Sequence, residues 1–225
     1  MGESVFTESD FAEIESGYTV WLEPSHLHFH SGGQVEIKAL WGNKMQKDGT
    51  GNPLNWQAVV IPPVGEEFKG EVSYGEGLYQ SVSFPAGEEG LYYVLVENNV
   101  GTHKGTSYIQ RAGLLVPVGH HVHGHGVATG RGLEIVPSEL NEFHPGDNIS
   151  LQVLFNGQPL PNIDVKITYH LYEGDDYPYS ATTSDSGHLS LTFKEKGHWM
   201  FLAQYKDQND LPEYHVSTFV VPGVR

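Results

Sequence analysis

An all-β fold of two immunoglobulin-like β-sandwich domains is what this 225-residue chain predicts, and three features do the predicting. Thirteen prolines, 27 glycines and 12 tyrosines, with no long run of Ala, Leu, Glu and Lys, favour strands and turns over helices. Short apolar segments recur at strand length between Gly, Pro and Asn clusters. Seven such segments run in order, a Gly- and His-rich stretch interrupts them, and seven more follow.

Residues 1–16 come first, as an acidic extension with five carboxylates and no Lys or Arg. That is the wrong chemistry for a secretion signal, so an exported protein would be represented here without one. The extension has room for one short helix. The first sandwich is expected over residues 17–117, with strands at 18–22, 35–40, 57–61, 69–74, 79–84, 91–97 and 106–116. Seven strands in about 100 residues is the count of an immunoglobulin-like sandwich. Residues 118–130 form the Gly/His-rich linker, and the second sandwich is expected over 131–225. Its strands read as 133–136, 149–155, 165–171, 180–183, 189–193, 199–205 and 215–221. Asn156-Gly157 and Asp185-Ser186-Gly187 sit where tight turns between paired strands belong.

Charge narrows the partners. Asp and Glu number 28 against 12 Lys and Arg, a formal charge of -16, so a nucleic-acid partner is excluded for want of a basic surface. Such a field attracts cations, although it also serves simply to keep a surface soluble. The absence of cysteine removes disulfides, thiolate metal sites and cysteine nucleophiles. No run approaches the roughly 20 apolar residues of a membrane span, so no direct membrane insertion is expected.

Histidine carries the chemistry. Seven of the 13 histidines fall in two short segments, His26-Leu27-His28-Phe29-His30 and His120-His121-Val122-His123-Gly124-His125. Neutral imidazole is a favoured ligand of Ni, Co, Cu and Zn, and no softer thiolate competes. If the first segment is extended, strict alternation puts its three imidazoles on one face, neighbours about 6.6 Å apart, a span two rings can close around one ion. The plain alternative is a solvated strand face. Glycines in the second segment let the backbone wrap a metal but leave it disordered when empty, and its plain alternative is a mobile hydrophilic linker. Successive sandwich strands alternate in direction, so the exits of the first and seventh strands lie at one end of the first domain. That parity predicts one composite site built from both segments. Because protonated imidazole cannot ligate, affinity should fall as pH drops through about 6.5, the ordinary histidine value.

A family resemblance bears on the same point. The runs 132–137, 157–165, 183–187 and 197–199, with Trp21-Leu22-Glu23-Pro24 near the start, are similar to the periplasmic NikK-like family of accessory, metal-binding components of nickel and cobalt uptake transporters. The resemblance spans about residues 18–207 and implies a non-catalytic, periplasmic or extracellular protein that passes a divalent metal to membrane transporter subunits. It does not supply the ligands: Tyr18 stands where many members carry a histidine, and Arg111 stands near the place where some nickel-linked relatives do.

Two other classes compete. A non-catalytic carbohydrate- or protein-binding module could use Trp41, Trp56, Tyr74, Tyr79, Tyr177 and Tyr179 as a stacking face. A cupin-like metal oxygenase is the minor alternative, from His28, His30, Glu36 and Gly42, although that spacing departs from the cupin motif. No nucleophile elbow, phosphate loop or zinc-protease helix motif is present, so no enzyme is expected.

Overall fold

A computed structural model describes residues 6–49, 56–74, 79–120 and 122–225. A short helix, α1 (Glu8–Ser16), precedes the strands and ends at Gly17, whose φ of +110° places it in the left-handed region that closes helices. Phe11 and Ile14 anchor it to the first core.

The first sandwich contains β1 (Thr19–Pro24), β2 (Gln34–Asn43), the two-residue β3 (Gln46–Lys47), β4 (Trp56–Ile61), β5 (Phe68–Tyr74), β6 (Gln80–Pro85), β7 (Gly90–His103) and β8 (Thr106–Val118). The second contains β9 (Leu133–Pro137), β10 (Asn148–Phe155), β11 (Gln158–Pro159), β12 (Asp164–Tyr169), β13 (Tyr179–Thr182), β14 (His188–Thr192), β15 (Gly197–Lys206) and β16 (Glu213–Val224). Every segment read as a strand from the sequence overlaps one of these. The strand expected over 165–171 stops at Tyr169, and Leu171 is exposed.

Strand order makes both units immunoglobulin-like. In the first, β1-β2-β6-β5 form one sheet and β4-β7-β8 the other, with β5 also bonded to β4. In the second, β9, β10 and β14 form one sheet and β12-β15-β16 the other, with β13 transferred to the edge of β12. Asn156 and Gly157, both at positive φ, turn the chain between β10 and β11.

The two sandwiches are not strung on a loose connection. Their last strands, β8 and β16, pair in parallel from Ser107–Glu213 to Leu114–Val220, so one sheet runs continuously through both units. Each last strand thereby covers the edge that the other would expose. The shared sheet is buried on both faces. On β15 and β16, Trp199, Phe201, Phe219 and Val221 face the second core, whereas Met200, Leu202, Val216 and Val220 face the first. On β7 and β8, Tyr93, Leu95 and Leu115 are given in turn to the second core. Burial on two sides explains the unbroken apolar runs in these strands, each fully buried side chain contributing about 1.5–3 kcal/mol.

A charged chain crosses the seam. Arg111 of β8 lies 2.7 Å from Glu97 on β7 and donates through Nη1 to His215 Nδ1 on β16 at 3.0 Å, and His215 Nε2 donates to Glu213 at 3.1 Å.

Candidate functional site

Direction of travel decides where the histidines go. β1, β8 and β16 run the same way, β8 and β16 as parallel neighbours, and the connection after β1 meets the end of β8 in a parallel bridge between Phe29 and Val118. Gly119 N–H donates to the Phe29 carbonyl at 2.8 Å. Three chain exits therefore gather at one end: 25–30 after β1, 119–126 after β8, and Arg225 after β16.

The first segment is not a strand. Its backbone is irregular except for the Phe29 bridge, because Phe29 drops into the first core while His26, His28 and His30 remain exposed. The expected face of three aligned imidazoles is thus only partly realised; Leu27 is also exposed rather than sharing a buried face with Phe29.

The second segment is not a free linker either. After β8 the chain runs back along β9: Gly124 bridges Leu140, and Gly126 N–H donates to the Pro137 carbonyl at 2.9 Å. A Cβ on Gly126 would stand 2.4 Å from that carbonyl oxygen, so the close approach needs glycine. The arm then turns over the buried Glu134, whose carboxylate accepts from Thr129 N–H (2.8 Å), Thr129 Oγ1 (2.6 Å) and Gly130 N–H (2.8 Å). Glycine, expected to leave the segment disordered, instead lets it lie flat against its neighbour.

Between these exits lies a cavity of about 450 Å³. His26 and His28 line it from the first exit, His120 and His123 from the second, Asn141 and Glu142 from the connection after β9, and Arg225 from the end of β16. His30 stands beside His120, ring centroids 5.6 Å apart. His125 turns away: its Nδ1 donates to the Ser138 carbonyl at 2.7 Å. His121 lies outside the described residues. Arg225 Nη2 donates to His28 Nε2 at 3.2 Å; since guanidinium only donates, the Nε2 lone pair of His28 is the acceptor and any proton of the neutral ring sits on Nδ1. The sequence reading missed Glu142 and Arg225, neither of which stands in a recognisable motif.

Among the described residues, the one group of three His, Asp or Glu ligand atoms within 4.8 Å lies elsewhere, at Asp207, Glu213 and His215. It is a poor metal site. Both nitrogens of His215 are engaged, Asp207 accepts from the Glu213 N–H and from Asn209, and the Arg111 guanidinium already supplies positive charge 3.0 Å from the ring. The cluster is joined to β8 through the hydrogen bond from Arg111 to His215.

Two histidines near or at the seam are held below the ordinary histidine range. For His215, burial is the chief cause, followed by Arg111, against the pull of Glu213; for His198, burial leads, Glu23 opposes it and His170 adds to it. With the folded value depressed, the unfolded chain takes up protons first as pH falls below about 6.5, so stability is full above that value and lost below it. Each such proton contributes at most about 1.4 kcal/mol per pH unit. The melting temperature should therefore fall between pH 7 and pH 5, with a shallower slope in His215→Gln. A scanning-calorimetry series that stays level across that range would refute this.

Trp41 and Trp56 are buried in the first core, Tyr79 and Tyr177 pack against it, and Tyr179 stacks on Trp199 at 5.5 Å. Tyr74 is exposed. The Glu36 carboxylate of the cupin-like spacing accepts from Ser81 Oγ at 3.2 Å rather than from an imidazole.

A model of the family described as "Domain of unknown function (DUF4198)" matches residues 16–207. The chain belongs to that family. The match takes in the first sandwich, the arm and the second sandwich as far as β15, so the cavity falls inside the DUF4198 region apart from its β16 edge. No curated protein matches the chain. Solved structures similar to it include the D0-D1 domain of intimin, at 13% identity over 88% of this chain and 96% of that one, with a TM-score of 0.27. The human OSCAR ligand-binding domain is similar at 12% identity over 91% and 97%, TM-score 0.26. A Salmonella alpha-2-macroglobulin is similar at 12% identity over 91% of this chain and 14% of that one, TM-score 0.31. At such scores these likenesses add nothing to the fold, which rests on strand order. Among the described residues, no helix is long and apolar enough to cross a membrane.

Proposed function

We propose that this DUF4198 protein binds a divalent transition metal outside the cytoplasm and serves a nickel or cobalt uptake transporter, with His26, His28, His120 and His123 supplying the first ligands. The single observation that supports this most is the convergence of two histidine segments, some ninety residues apart in sequence, on one cavity. The negative charge of the chain adds a field that draws cations inward. Nickel and cobalt come from the family resemblance; imidazole chemistry alone ranks copper first. His30 takes an outer position in this reading, beside His120, whereas His125 is bonded to the Ser138 carbonyl and takes no part in the site.

The second reading is a non-catalytic carbohydrate- or protein-binding module, which fits the all-β architecture equally well. It draws less support as a carbohydrate site, because Trp41 and Trp56 are core residues rather than a surface platform.

Titration calorimetry with Ni, Co, Cu and Zn in a non-coordinating buffer separates the two. Stoichiometric binding, with copper tightest, is the expected result. No heat and no metal retained after desalting would leave the module reading standing and remove the metal one.

A further inference from the structure

We infer that the cavity receives its metal as a complex with a small amino- or hydroxycarboxylate chelator rather than as the bare ion; the inference rests on the metal-binding reading above. Size is the first reason. At about 450 Å³ the space falls in the ~300–1,000 Å³ range of small-molecule pockets, far more than a single ion fills. Imidazole nitrogens bound at about 2.0–2.1 Å would otherwise close down on a bare ion.

The donor set is the second reason. No three of the cavity's described histidine and carboxylate ligand atoms lie within 4.8 Å of one another, so the protein offers an incomplete coordination sphere. Donors from a second molecule complete it. The wall is the third: Leu27, Phe29, Leu115, Val122, Leu140 and Phe143 line the space, a surface suited to a carbon skeleton and ill suited to a shell of water.

Electrostatics decides between bare ion and chelate. Arg225 is the one Arg or Lys among the described lining residues, and its guanidinium already reaches His28 at 3.2 Å. The guanidinium there repels a bare divalent ion and competes for the His28 lone pair. The same planar fork matches a carboxylate with two parallel hydrogen bonds. Glu142, on the lining as well, is an acceptor for the N–H of a metal-bound amine.

Equilibrium dialysis of the full chain tests this with nickel(II) alone, nickel(II) with carbon-14 citrate, nickel(II) with carbon-14 L-histidine, and each chelator without metal. Expected is retention of metal and label together in a 1:1 protein complex, at least tenfold tighter than nickel alone, for citrate, histidine or both. Which of the two is retained distinguishes a hydroxycarboxylate from an amino acid. Arg225→Gln should move the two affinities in opposite directions, the chelate about tenfold weaker and the bare ion severalfold tighter. Metal retained without label overturns the inference and leaves the metal reading intact. Label retained equally without metal overturns the inference, because the metal is then no part of what is recognised. Retention of neither overturns both.

Discussion

Replacing His28, His120 and His123 together by alanine should lower nickel affinity at least ~100-fold. Loss of groups that only orient metal ligands commonly costs 10- to 100-fold, and direct ligands cost more. The three rings come from two chain exits and meet at one cavity, so removing them leaves His26 as the last imidazole among its described lining residues. All three are exposed, and exposed substitutions shift stability by only about 0.5 kcal/mol in either direction. The loss would therefore report ligation and not unfolding, which a melting curve on the same sample verifies. His125→Ala is the internal contrast: its ring is committed to the Ser138 carbonyl and points away from the cavity, so affinity should change less than about threefold. A triple variant that binds like the parent protein, or a His125→Ala variant that fails to bind, would show the ligands to be elsewhere.

That contrast also marks how far the sequence could be read. Alternating apolar segments and turn residues such as Asn156-Gly157 located the strands, because period-two burial and positive φ leave local signatures. Strand parity placed the two histidine segments at one end, and the bridge from Phe29 to Val118 agrees with it. What parity could not convey was the course of the backbone between residues. Phe29 gains more from the core than the segment would from an extended ladder, so the three imidazoles lose their common face. Gly124 and Gly126 read as flexibility, yet with Leu140 and Pro137 opposite them they permit close approach; the same lack of a Cβ serves either end, and only the neighbour decides.

The shared sheet left a different kind of trace. In 112–116, 199–203 and 219–221 the apolar residues do not alternate with polar ones, the pattern of a strand covered on both faces. A free-standing sandwich would leave one face of each strand wet. The signal was present, but nothing local to β8 names β16 as its partner, since the pairing joins residues about a hundred positions apart. Glu142 and Arg225 were illegible for the same reason: each acquires meaning only from chain exits that are remote in sequence.

The seam itself carries the second large effect. Arg111→Ala should destabilise the fold by about 1–3 kcal/mol, the usual cost of leaving a buried polar group without its partner. Its side chain is 8% exposed and bridges Glu97 and His215, which is 1% exposed. Without the guanidinium, Glu97 can turn to water, being 41% exposed, but His215 Nδ1 is left buried with no donor. The Arg111 Nε already lacks a partner, so the native pairing is imperfect and an apolar replacement of matching size recovers part of the loss. Arg111→Met combined with His215→Leu should accordingly be more stable than Arg111→Ala, because no polar atom is then stranded. Since β8 and β16 also deliver His120, His123 and Arg225 to the same end, hydrogen exchange should quicken along the Ser107–Leu114 ladder before it does in β2 or β10. Urea unfolding of Arg111→Ala within 1 kcal/mol of the parent, with that ladder still protected, would mean that backbone pairing and apolar burial hold the seam without the charges.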